Sequence, residues 1–184
     1  HHIFEEQNSE EEPYLAVVHR LDRPVGGLMV LAKTKEVAAN LSEQIQNFEF
    51  EKNYQAVVCG NLREDFGTFE DYLLKNGKTN KTEVVKAGTP GARKAELDYE
   101  LIDCIETKEG VLTWILVILH TGRHHQIRVQ MAHAGMPLAG DRKYGAGTNV
   151  TIGAGSLALC AASLTFFHPV TGKVMKFVTK PEGA

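Results

Sequence analysis

The sequence predicts an α+β domain built on a mainly antiparallel sheet. Three observations predict it. Apolar and polar residues alternate with a period of two over much of positions 52–119, and strand-like runs return after 157. Helical spacing is confined to about 34–48 and 124–134. No internal repeat, low-complexity tract or linker divides the chain.

Each element has a local reason. Residues 1–12, HHIFEEQNSEEE, hold five Glu and no Lys or Arg, and read as a flexible acidic arm or loop. Tyr14 to Val18 is a short strand-like run. A turn follows at Asp22-Arg23-Pro24, because Pro24 steers Arg23 away from helical geometry. Gly27 to Lys33 reads as one continuous apolar strand. Thr34 is an N-cap for a helix that places Val37, Ala38, Leu41, Ile45 and Phe48 on one face. Lys52 to Gly60 is a strand with Tyr54, Ala56 and Val58 on a common face. Tyr72 to Val85 is a hairpin turning at Asn76-Gly77. Lys94 to Cys104 sets Ala95, Leu97, Tyr99 and Leu101 on one face, and Val111 to His120 is apolar enough to be central. Residues 124–134 form a helix stopped by Gly135. Leu157 to Phe167 and Lys173 to Val178 are two last strands joined by a Pro-Val-Thr-Gly turn.

A chain of 184 residues suits one domain, residues 13–184 following the acidic arm. No apolar run approaches the roughly 20 residues that a membrane helix needs. Cys59, Cys104 and Cys160 each lie in an apolar segment without CxxC spacing, so they read as buried thiols in a reducing compartment. The expectation is a soluble, cytoplasmic, monomeric protein. The net charge of −3 misleads, because without residues 1–12 the chain holds 18 acidic and 20 basic residues. Lys75, Lys78, Lys81, Lys86, Arg93 and Lys94 have only Glu83 within their span. Arg123, Arg128, Arg142 and Lys143 accompany four histidines and a single acid, Asp141. Such patches suit a polyanion, with a plain solvated surface as the alternative.

Three features are candidates for chemistry. Asp22 lies in a tight turn among His19, Arg20 and Arg23, cations that favour an ionised carboxylate. A turn aspartate bonding its own backbone is the competing reading. The run Gly122-Arg123-His124-His125-Gln126-Ile127-Arg128 is dense in donors. With His120 and His133 it raises the question of a metal. The spacing matches neither HExxH nor a Cys/His zinc pattern, and no Cys or Glu lies near to complete a ligand set, so phosphate and base-edge contacts fit better. Arg128 is expected to face inward beside Ile127 and to need a carboxylate, with Asp22 as the candidate partner. Tyr54 is either a core aromatic or a ring on which an unstacked base rests.

Taken together and in order, these segments resemble the pseudouridine synthases of the RluA type. His19-Arg20-Leu21-Asp22 followed by Gly27-Leu28-Met29-Val30-Leu31-Ala32-Lys33-Thr34 is similar to that family's HRLD…SGLLLLAKT signature. Lys52-Asn53-Tyr54-Gln55-Ala56 resembles its K-x-Y-x-A strand, and Gly122 to Val129 its GRTHQIRVH motif. Ala139-Gly140-Asp141 with Lys143-Tyr144-Gly145 resembles GD…YG. Leu159-Cys160-Ala161 with Phe167-His168-Pro169 resembles the closing LHA…F-HP strands. The resemblance implies a mixed, mainly antiparallel sheet flanked by helices, with a central active-site cleft. It implies Asp22 as the catalytic aspartate, Arg128 as its ion-pair partner, Tyr54 as the aromatic against the target base and Leu159 as an apolar wall. His19, Arg20, Arg123, His125 and Gln126 are the expected substrate contacts. The implied reaction is the isomerisation of uridine to pseudouridine in ribosomal or transfer RNA. It needs neither cofactor nor metal, because the change is neither redox nor net hydrolysis.

The sequence departs from the family pattern in places. Val25-Gly26 stands where Thr-Ser is usual, His124 replaces a Thr, and Gln130 and Cys160 each replace a His. The family's opening strands, its N-K-P-x-G segment and an S4 domain are not found. Two readings of that follow, an incomplete chain or a sheet reduced at one edge. Three rival functions remain at this point. They are a non-catalytic RNA-binding domain derived from this fold, a metal-dependent hydrolase using the histidines, and a structural domain in which Asp22 and Arg128 form an internal salt bridge.

Overall fold

Alternating residues carry most of the chain into one mixed sheet, seen in a computed structural model that describes residues 13–145 and 156–181. The acidic segment 1–12 lies outside the described residues. Strand β1 is Ala16–Val17, β2 Gly26–Gly27 and β3 Leu31–Ala32. Helix α1, Lys35–Gln46, follows. Then come β4 (Glu51–Cys59), β5 (Phe66–Asn76), β6 (Lys81–Val85), β7 (Arg93–Thr107) and β8 (Gly110–Leu119). Helix α2 is Gln126–His133, and β9 (Leu159–Phe167) and β10 (Val174–Val178) close the order. The sheet runs β10-β9-β4-β8-β7-β5-β6, every pair antiparallel, and β2 adds a parallel pairing with β9. Strands β1 and β3 form a separate antiparallel pair. Strand β8 is central, as its apolar run predicts.

Both helices pack on the face of the sheet that carries Tyr54. Ile127 and Met131 of α2 meet Tyr54, Ala56 and Val58 of β4 with Leu97, Ile115 and Val117 in the main core. Leu41 of α1 joins Phe50, Leu164 and Phe166 in a second cluster. Thr34 caps α1 as expected, its Oγ1 accepting from Val37 N at 3.2 Å.

Four local expectations need correction. The run 27–33 is not one strand. Its start pairs with β9, Leu28 N donating to Ala161 O, its end pairs with β1, and between them Val30 N donates to His19 Nε2 (3.1 Å) instead of to a strand. Phe48 lies beyond α1, in left-handed geometry (φ 61°) after the Asn47 cap, and is exposed rather than on the buried helix face. The hairpin reverses through four residues, 77–80, not two. Asn76 Oδ1 accepts from the amides of Lys78 and Thr79, which folds the chain into a wider turn. Cys104 is exposed, whereas Cys59 and Cys160 are half-buried. A register shift between Leu101 and Asp103 breaks the β7 alternation just before Cys104.

Gly27 fixes the place of the segment that follows Asp22. Its φ is +115°, and a Cβ there would stand 2.4 Å from Ala161 O. Gly27→Ala is therefore expected to cost about 2 kcal/mol or more. Thermal unfolding of the variant checks this, with a fall in Tm of about 4 °C or more expected.

Candidate active site

Asp22 is fixed by a turn and a strand. Val25 N donates to Asp22 O at 2.9 Å, and the next two residues pair with Cys160 and Ala161 of β9. The carboxylate thus stands at a cleft of about 550 Å³ whose walls include Tyr54, Leu159, Ile127 and Arg128. Its side chain is 26% exposed, reachable by a ligand but sheltered from bulk water.

Arg128 lies on α2 with its side chain 7% exposed. Arg128 is paired with two carboxylates and hydrogen-bonded to Asp141, Nε donating to Oδ2 at 2.8 Å and Nη2 to Oδ1 at 2.7 Å. Nη1 remains for Asp22, 3.5 Å from Oδ2. The Arg–carboxylate fork is bidentate, which fixes the plane of the guanidinium. Tyr144 lies 5.1 Å from the guanidinium carbon, ring centroid to Cζ. Burial works against ionised Asp141, but bonds from Arg128 and from the Lys143 and Tyr144 amides outweigh it and hold its carboxyl below the usual range. Burial also opposes the Arg128 charge, and Asp141 more than offsets it. Asp141 and Tyr144 belong to the GD…YG segment, the signal that marked them, although local spacing does not show that they grip Arg128.

Tyr54 is buried on β4, and its ring faces the cleft. Burial and then the negative charge of Asp22 push its phenol up to about 12, so it stays protonated at neutral pH. Leu159, opposite Ala56 on the neighbouring strand, supplies an apolar wall. Lys52, two residues before Tyr54, also lines the cleft, and burial lowers its ammonium pKa. Its cleft-facing position follows from the same period of two that placed Tyr54.

The remaining expected contacts divide into two kinds. Arg20 and Arg123 line the cleft, Arg20 exposed and Arg123 tied through Nε to Lys94 O at 2.8 Å. Gln126 and His19 turn polar atoms into the protein. Gln126 is buried, its Oε1 accepting from Thr121 Oγ1 and Arg123 N, and its Nε2 donating to Glu96 O. His19 accepts from Val30 N through Nε2, and burial, with Lys52 nearby, lowers its pKa to about 4. Both residues therefore shape the loops that carry Asp22 and Arg123. Lys94 is drawn out of the basic patch by ion pairs with Glu70 (2.8 Å) and Glu96 (2.9 Å).

The histidines diverge. His120 meets Asp98 at 2.6 Å, His124 meets Thr82 Oγ1 at 2.8 Å, and His133 approaches Asp71 at 4.0 Å. His125 alone of the four faces Asp22, with Nε2 3.7 Å from Oδ2. Among the described residues no three His, Cys, Asp or Glu side chains converge as a ligand set. No helix among them is long and apolar enough to cross a membrane.

The chain has relatives among known proteins. A family model described as RNA pseudouridylate synthase matches residues 1–133. The chain belongs to the RNA pseudouridylate synthase family. Its curated relatives include the ribosomal large subunit pseudouridine synthase C of Salmonella typhimurium, 33% identical over 180 residues, 95% of this chain and 55% of that protein. The protein of the same name from Escherichia coli K12 is 33% identical over 172 residues, 90% of this chain and 52% of its own length. The chain thus spans about half the length of the curated relatives it matches. Human RNA pseudouridylate synthase domain containing 4 shares the fold at a TM-score of 0.75 and 21% identity, over 98% of this chain and 76% of that one. Human RNA pseudouridylate synthase domain containing 1 has the same TM-score and identity, over 91% and 69%. These pseudouridylate synthase relatives agree with the RluA-type motifs and with the mixed, mainly antiparallel sheet.

Proposed function

We propose that residues 13–184 form a catalytic domain that isomerises uridine to pseudouridine in ribosomal or transfer RNA, in the cytoplasm, as a monomer and without a cofactor. One observation carries this reading: the Asp22 carboxylate lines one cleft with the Tyr54 ring and the Arg128 guanidinium, whose Nη1 is 3.5 Å from it. The reaction breaks the bond from uracil N1 to ribose C1′, turns the base, joins C5 to C1′ and releases the C5 proton. Electrons and atoms balance within the substrate and one exchanged proton. The chain must therefore supply a carboxylate at the ribose, a surface that keeps the detached uracil, and exclusion of water. Asp22 supplies the first. Tyr54 and Leu159 supply the second, and the target base must leave its stack to reach them. Arg20 and Arg123, with the exposed Lys75, Lys78 and Lys81, are placed to contact phosphates.

The test is to incubate the protein with transcribed ribosomal and transfer RNA and to map pseudouridine, alongside RNA from cells with and without the gene. Pseudouridine at defined uridines, missing when the gene is absent, is expected. RNA bound with no product favours the non-catalytic binding domain instead. Tyr54 separates ring from hydroxyl. Tyr54→Phe keeps the stacking surface and most of kcat/KM, while Tyr54→Leu lowers it by about tenfold to a hundredfold, the worth of one stacked base. Steady-state kinetics on a single modified site checks both.

A further inference from the structure

The two nitrogens that approach Asp22 converge on one oxygen. Arg128 Nη1 stands 3.5 Å and His125 Nε2 3.7 Å from Oδ2. The His125 backbone is left-handed (φ 54°) at the start of α2, and its ring is almost fully buried. The ring is fixed at its other nitrogen: Nδ1 lies 2.7 Å from the Tyr144 hydroxyl, which accepts from Thr82 N at 2.9 Å. The Tyr144 ring meets it edge-on, at an interplanar angle of 77°. On its other face it stacks against His124, with centroids 3.7 Å apart, and His124 is itself bonded to Thr82 Oγ1. The orientation of His125 is therefore set from β6 and from the segment after α2, not by Asp22.

We infer that His125 is a positioning residue. Held by the Tyr144 hydroxyl as the tautomer that carries its proton on Nε2, it donates to Oδ2 of Asp22 when RNA occupies the cleft. With Arg128 it thereby leaves Oδ1 as the oxygen presented to the ribose. The inference rests on Asp22 being the catalytic carboxylate.

The Tyr144 hydroxyl, which accepts from Thr82 N and donates to Nδ1, decides the tautomer, and the Asp22 carboxylate favours the same one. A bare Nε2 lone pair aimed at Oδ2 would repel it, whereas Nε2–H attracts it and leaves Nδ1 to accept from the phenol. A doubly protonated ring is disfavoured. Burial lowers the His125 pKa to about 4, Asp22 opposing and His124, Arg128 and Lys143 adding to the fall. The ring is thus neutral at pH 7. Contacts of 3.5 and 3.7 Å are longer than hydrogen bonds, and catalytic contacts of this kind tighten in the substrate complex. A buried neutral ring already bonded at Nδ1 is also a poor ligand for a phosphate at the cleft mouth, the role that the sequence motif alone suggested.

Two measurements test this. Nitrogen-15 NMR of labelled protein at neutral pH should show His125 protonated at Nε2 and bare at Nδ1, with the preference lost in Tyr144→Phe. A proton on Nδ1 in the wild-type protein overturns the inference whether or not the protein makes pseudouridine. In kinetics, His125→Gln places an amide N–H near the Nε2 position, and His125→Leu does not. Both carry the same left-handed backbone strain, so their difference isolates the donor. His125→Leu is expected to lower kcat about tenfold or more with KM within about twofold, and His125→Gln to recover most of that loss. Equal losses in the two variants, or a loss confined to KM, overturn the positioning role. Absence of turnover in the wild-type protein defeats the proposed function instead, and leaves the NMR result to decide the tautomer.

Discussion

Asp22→Asn leaves the fold and RNA affinity in place and removes pseudouridine formation, by about a thousandfold or more in kcat. The fold survives because Arg128 does not depend on Asp22. Its Nε and Nη2 remain bonded to Asp141, so no buried guanidinium is stranded by the substitution. The turn survives too, since Val25 N donates to the Asp22 backbone oxygen rather than to its carboxylate. Asparagine matches aspartate in shape but is neither an effective nucleophile nor a base at the ribose. The expected pattern is a Tm within a few degrees of wild type, RNA binding within a few-fold, and no product. Calorimetry, a binding titration and mapping of the modified site measure the three.

Asp141→Asn has the opposite signature, with stability lost first. The Asp141 side chain is fully buried and Arg128 nearly so. Removing one charge of such a pair strands the other, at a cost of about 3–5 kcal/mol. For a chain of this size that lowers Tm by roughly 6–20 °C. Activity falls as well, because the fork that holds Nη1 toward Asp22 is loosened. The pH dependence has a defined sign. The folded-state pKa of Asp141 lies below its ordinary value, so the pair's contribution is full above the unfolded-state pKa. It is lost as pH falls through the folded-state value. Wild type should therefore lose stability on acidification over that range, and Asp141→Asn should lose less. Unfolding midpoints from pH 7 down to pH 3 check this.

What the sequence makes legible here is local. Pro24 marks the turn that carries Asp22, the period of two puts Tyr54 on the face with Ala56 and Val58, and Thr34 starts α1. The partner of Arg128 is not legible in the same way. The Arg128–Asp141 bond joins α2 to a loop thirteen residues on, and no periodicity encodes a pairing across a loop. A buried arginine announces that it needs a carboxylate, but Asp22 and Asp141 satisfy that demand equally well on paper. Cys104 and Phe48 depart from the regular pattern for a related reason. The β7 bulge resets the alternation, and the left-handed residue after Asn47 ends the helical spacing, neither of which a regular pattern anticipates. Gln126 shows the limit of reading donors as ligands, since both ends of its amide are bonded within the protein.

In the proposed function Asp22 drives an isomerisation in which uridine exchanges its N1–C1′ bond for C5–C1′. That exchange must expel the hydrogen on C5, so RNA carrying tritium at uridine C5 reports the reaction itself. Tritium is expected to pass to water with the wild-type chain in proportion to pseudouridine formed, and not above background with Asp22→Asn. Release that persists undiminished in Asp22→Asn, or pseudouridine formed without release, would contradict it.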